Sequence, residues 1–105
     1  MNTTKANAAG LPAELLERMA AMLRVLAHPQ RLRIVELLQS EKEAPVHAII
    51  MHLGIPQAAV SQHLNHMRRS GLLRGSRRGK EVWYGIADPS ALTVLDCIRK
   101  KQAKG

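Results

Sequence analysis

Two proline-opened windows of helical length lie almost end to end in "PVHAIIMHLGIPQAAVSQHLNHMRRSGLL", residues 45 to 73. Gly54 closes the first, and Pro56 opens the second two residues later. Glycine takes up the left-handed conformation that commonly ends a helix. Proline suits a first helical turn, where its missing N–H would have had no intrahelical partner. Two short helices joined by so tight a turn make a helix-turn-helix candidate, and the rest of the chain must supply the core on which that pair sits.

The second window divides cleanly around its axis. At 100° per residue, Gln57, Ala58, Ser61, Gln62, Asn65, Arg68 and Arg69 share one arc, whereas Val60, His63, Leu64 and Met67 fall on the other. The apolar arc predicts docking on a core. The opposite arc carries short hydrogen-bonding side chains, ends in paired arginines and holds no acid. A helix of that kind fits a DNA major groove, where Ser, Asn and Gln can read base edges and an acidic side chain would obstruct approach.

Flanking segments complete a single domain. Residues 1 to 10 are small, polar and aperiodic, which predicts a flexible N-terminal tail, and residues 11 to 105 form the domain itself. After Pro12, Leu15, Met19, Met22 and Leu26 recur at helical spacing, with Leu16 and Leu23 widening the stripe beyond what one neighbouring helix would cover. Pro29 starts a second helix whose Leu32, Ile34, Val35, Leu37 and Leu38 cover most of its circumference, so this helix should be central. Arg31 projects toward its apolar arc, with a stem that can pack and a guanidinium that can reach a carbonyl or carboxylate at the margin.

After Gly71 the period changes. "LLRGSRRGKEVWYGI" reads as two short strands around a turn containing Gly79. Val82, Tyr84 and Ile86 lie on one face, and Glu81 and Trp83 on the other. Asp88-Pro89-Ser90 then starts a last helix in which Ala91, Val94, Leu95 and Ile98 share a side. The expected fold is mainly α with a small β-hairpin, in the order α-α-α-α-β-β-α.

Charge narrows the partner. The 105 residues carry a formal net charge of +8, which points to a polyanion. Arg68, Arg69, Arg74, Arg77, Arg78 and Lys80 cluster at the end of the second window and in the hairpin, within reach of phosphates on either side of a groove. No apolar run approaches the roughly 18 residues needed to span a membrane. The first ten residues lack the apolar segment of a signal peptide, and a single cysteine allows no intrachain disulfide, so a cytoplasmic protein is expected. No Ser-His-Asp order, phosphate loop or paired-carboxylate cleft is present to suggest an enzyme, and no cofactor is expected.

Three blocks, "VLAHPQRLRIVELL", "HLGIPQAAVSQHLNHMRRSGLL" and "GKEVWYGIADPSAL", together resemble the signature regions of the ArsR/SmtB winged helix-turn-helix repressors over most of residues 25 to 92. The resemblance implies a homodimer built on the first and last helices, a recognition helix at about 56 to 69, a wing at about 74 to 82, and repression relieved by an inducer. Ser61, Gln62 and His63 fall in the family's reading segment and Arg78 near the wing tip. With the arc and charge arguments, the expected DNA-contacting residues are Gln57, Ser61, Gln62, His63, Asn65, Arg68, Arg69, Arg77, Arg78 and Lys80. The expected dimer contacts are Leu15, Met19, Met22, Leu26, Leu92, Leu95 and Ile98. The angular position of His63 among hydrophobes also favours a hydrogen-bonded, partly buried imidazole.

Many relatives sense metals, but this chain departs from both ligand patterns. Pro45 and His47 stand where a cysteine pair would be, and Ser90, Lys101 and Lys104 accompany Asp88 in the last helix. Proline has no ligating side chain and lysines oppose a cation, so no metal site is expected and the residues do not identify an inducer. Cys97, followed by Arg99, Lys100 and Lys101, is a possible redox site, since nearby cations favour thiolate, although a small hydrophobe on a dimerisation helix is the plainer reading. The leading function is a dimeric DNA-binding repressor. The alternatives are a winged-helix protein-interaction module and a thiol-responsive repressor using Cys97.

Overall fold

The computed structural model describes residues 10–104, so the expected N-terminal tail lies, apart from Gly10, outside the described residues. Five helices and three strands follow in the order α1 Ala13–Leu26, α2 Pro29–Glu41, β1 Glu43–Pro45, α3 Val46–Leu53, α4 Gln57–Arg69, β2 Leu73–Arg78, β3 Glu81–Ile86 and α5 Ser90–Lys104. No helix among the described residues is long and apolar enough to cross a membrane.

Local chemistry sets the boundaries. His28 caps α2, its Nδ1 accepting the Gln30 N–H at 3.1 Å, while Pro29 occupies the first turn. Gly54, left-handed at φ 67°, ends α3 and donates its N–H to the Ile50 carbonyl. The extended Pro56 offers no capping side chain, yet its carbonyl accepts from Ala59 and Val60, and α4 forms intact. Asp88 caps the last helix by accepting the Ser90 N–H at 3.0 Å.

The central position expected for α2 is observed, since it packs against all four other helices and against β1 and β3. Its Ile34, Val35 and Leu38 meet Ile49 from α3, Val60, Leu64 and Met67 from α4, Leu72, Tyr84 from β3, and Ala91 and Leu95 from α5 in one core. Tyr84 points inward as the alternation in β3 predicts, with Val82 and Ile86 partly buried against the same core.

The sheet has one strand more than the sequence pattern suggested. The order β1-β3-β2 replaces the simple hairpin, with Glu43 opposite Gly85, Ala44 opposite Tyr84 and Pro45 opposite Trp83. Lys42 makes the connection by adopting φ 69°, its N–H returning to the Leu38 carbonyl to close α2. Pro45 fits because β1 is an edge strand, where a missing N–H leaves no ladder partner unsatisfied. The chain order is therefore α-α-β-α-α-β-β-α.

Candidate nucleic-acid interface

The two arcs of α4 separate in space as the helical period demands. Val60, Leu64 and Met67 are at most 1% exposed and fix the helix to the core. Gln57, Ala58, Gln62, Asn65, Arg68 and Arg69 are exposed, and Ser61 is half-buried at the edge of their face. Every side chain on that face is neutral or cationic. It therefore presents hydrogen-bond donors and acceptors without repelling a polyanion.

His63 does not belong to that face. Arg31 Nε donates to His63 Nδ1 at 3.0 Å, and the His63 ring meets the His28 ring edge-on with centroids 4.4 Å apart. A second Arg31 donor, Nη1, reaches the Val25 carbonyl at 3.1 Å, so one guanidinium ties the end of α1 and the start of α2 to α4. Desolvation, reinforced by the charges of His28, Arg31 and His66, pushes His63 below the usual histidine range. His63 thus links α4 to α2 as a partly buried, hydrogen-bonded imidazole, set apart from the exposed face that carries Gln62 and Asn65.

Beside it, Arg31, Gln62, Asn65, His66 and Arg69 line an open polar cavity of about 350 Å³. Arg31 and His66 were not among the expected contacts. For His66 the signal was present in the sequence, because it stands four residues after Gln62 and three before Arg69. For Arg31 it was not, since the approach of α2 to α4 is a tertiary event.

The wing carries two classes of arginine. Arg78 Nη2 binds Glu43 Oε1 at 2.7 Å and its guanidinium lies 4.8 Å from the Trp83 ring centroid. Arg74 binds the other Glu43 oxygen at 3.5 Å and the Ile86 carbonyl. Arg74 lies so closely over Gly85 that a Cβ there would approach its Cζ to 2.8 Å. The hydrogen bond from Arg78, with the charges of Arg78 and Arg74, holds Glu43 below the usual carboxylate range despite some desolvation. Arg78 is exposed and is engaged by Glu43 and Trp83, so phosphate contact by Arg78 would compete with that pairing. Among the described residues, Arg68, Arg69, Arg77 and Lys80 have no carboxylate within ion-pair distance. The Arg68 stem runs beside Gly75, so the end of α4 and the wing present these cations together.

The expected dimer contacts also divide. Met22, Leu26 and Leu95 are at most 6% exposed because they fill the core of their own subunit, and they are not available to a partner. Leu15, Met19 and Leu92 are half-buried. What remains open on α1 and α5 is Leu16 at 51%, Leu23 at 50% and Ile98 at 44% exposure. In the sequence Leu16 and Leu23 only widen the apolar stripe of α1. Cys97 is exposed. The carboxylate of Asp88 is occupied as a helix cap and His47 pairs with Glu81, so each of these two residues has a structural partner.

A family model for "Bacterial regulatory protein, arsR family" matches residues 28–74, which run from the cap of α2 to the start of the wing. The transcriptional repressor PagR of Bacillus anthracis is 39% identical over 87 residues, covering 83% of this chain and 87% of PagR. The chain belongs to the ArsR family. Its similarity to this ArsR-family protein extends to three dimensions, with a TM-score of 0.76 against the PagR crystal structure over 83% of this chain and 99% of that one. The HTH-type transcriptional repressor SmtB of Mycobacterium tuberculosis is 41% identical over 88 residues, 83% of this chain. The chain spans 64% of the length of that SmtB. A homodimeric winged helix-turn-helix DNA-binding domain from Mycobacterium bovis, solved by NMR, matches with a TM-score of 0.73 at 26% identity, over 90% of this chain and 87% of that one. These ArsR-family neighbours share the winged helix-turn-helix fold seen here, with α3 and α4 as the helix pair and β2–β3 as the wing.

Proposed function

We propose that the protein is a dimeric, sequence-specific DNA-binding repressor of transcription that acts in the cytoplasm on an inverted-repeat operator. The observation that carries this reading is the acid-free, exposed face of α4, flanked by the cations of Arg68, Arg69, Arg77 and Lys80. Gln57, Ser61, Gln62 and Asn65 read base edges, and the four cations hold phosphates. Leu16, Leu23 and Ile98, with half-buried Leu15, Met19 and Leu92, form the subunit contact. That pairing presents two copies of α4 to successive major grooves about 34 Å apart. The homodimeric M. bovis neighbour and the repressor relatives support both the assembly and the direction of regulation.

Salt dependence tests the reading. Neutralising several phosphates per dimer releases counterions, so log affinity for a DNA fragment should fall linearly and steeply with log salt. A flat dependence contradicts the proposal. A protein-interaction module would dock through exposed aromatic or large apolar anchors, and the open face of α4 carries none.

A further inference from the structure

Away from α4, α1 and α5, the structure contains a second chemically distinct surface. An open cavity of about 520 Å³ lies where α2, β1, α3 and β3 meet, within the range of small-molecule sites. Leu37, Ala48, Met51 and Trp83 provide its apolar lining. Met51, at 79% exposure, is the most exposed large hydrophobe among the described residues, and no neighbour within the subunit covers it. A thioether left in water beside an indole is an adaptable hydrophobic contact, suited to ligands of varied shape.

The charge at this cavity runs against that of the whole chain. In a protein of net charge +8, its lining includes the carboxylates of Glu41 and Glu43 and no lysine or arginine; His52 is its other titratable residue. Glu43 is already paired through its two oxygens with Arg78 and Arg74, so Glu41 is the lining carboxylate that has no ion pair among the described residues. Trp83 holds the Arg78 guanidinium 4.8 Å from its ring centroid, and the half-buried indole also lines the cavity, which Arg78 does not. Aromatic rings beside carboxylates bind cations whose charge is spread over an apolar body, since the ring quadrupole and the acid act on the same group.

We infer that this cavity is a binding site for a small organic cation with a hydrophobic body, held by Trp83 and Met51 and oriented by Glu41. The site shares Glu43 with the wing, because the same carboxylate tethers Arg74 and Arg78. None of its lining residues lies on α1, α4 or α5.

Trp83 is the only tryptophan, so its fluorescence reports on the cavity directly. The full-length protein is titrated with benzyltrimethylammonium, benzyl alcohol and toluenesulfonate, which carry similar bodies with positive, zero and negative charge. The cation should give a saturable change with a Kd of about 1 mM or tighter, and the other two should bind at least about tenfold more weakly. Glu41→Gln should weaken the cation about threefold. Met51→Lys, at an exposed position that leaves the core intact, should weaken it about tenfold or more by placing like charge at the mouth. Circular dichroism confirms that both variants fold. No saturable signal up to about 10 mM, equal binding of the three probes, or unchanged affinity in both variants would overturn the inference. Failure here leaves operator binding untouched, because that is measured with DNA alone.

Discussion

Arg31 Nε donates to His63 Nδ1 across 3.0 Å, joining the first turn of α2 to the middle of α4. The bond requires an unprotonated Nδ1, so this polar link between α4 and the central helix depends on the protonation state of one imidazole. Arg31 also holds the Val25 carbonyl, and the contact therefore spans three helices.

A pH dependence follows with a definite sign. Desolvation, then the charges of His28, Arg31 and His66, lower His63 relative to an ordinary histidine. The unfolded chain accordingly takes up the proton at higher pH than the folded one. The stabilising contribution is complete above the unfolded value of about 6.5 and is lost as pH falls from there through the folded value. Thermal unfolding between about pH 5 and 8 should show a midpoint that drops on the acid side, and His63→Asn should flatten that drop. A midpoint that rises on acidification contradicts the account.

The proposed subunit contact separates from the core by position. Leu16→Glu combined with Leu23→Glu alters exposed side chains and should yield folded monomers by light scattering. Leu64→Ala, at a site 1% exposed, should instead destabilise each subunit by about 2–5 kcal/mol in denaturant unfolding. A double variant that remains dimeric would place the interface elsewhere.

Glu43 restrains the wing, so Glu43→Gln should release Arg74 and Arg78 from their shared partner and remove one negative charge near the duplex. DNA affinity at low salt should rise about threefold, with a steeper salt dependence. Weaker binding would show that ordering of the wing by Glu43 outweighs the charge it removes.

Much of this architecture is legible in the sequence, and the exceptions share one cause. The two arcs of α4 follow from the helical period alone, and Val60, Leu64 and Met67 are buried where the 100° rotation puts them. The angular position of His63 signalled an inward ring, but its partner Arg31 lies 32 residues away and no local pattern encodes that contact. Strand β1 leaves no signal in the sequence because three residues, one of them Pro45, cannot display a two-residue alternation; β1 exists by pairing with β3. Arg78 looked free because its partner, Glu43, arrives only through that same strand. On α1, periodicity identified the apolar stripe without dividing it into the side that faces its own subunit, with Met22 and Leu26, and the side left open, with Leu16 and Leu23.

The central claim is that the exposed face of α4 reads bases while the neighbouring cations hold phosphates. Selection of bound sequences from a random DNA pool, run in parallel for the unaltered protein, Gln62→Ala and Arg77→Ala, tests it most directly. The unaltered protein should enrich an inverted repeat. Gln62→Ala should relax preference at symmetry-related positions in both half-sites, and Arg77→Ala should retain the repeat while binding every sequence more weakly. Enrichment of no sequence by the unaltered protein, or an unchanged repeat from Gln62→Ala, would contradict it.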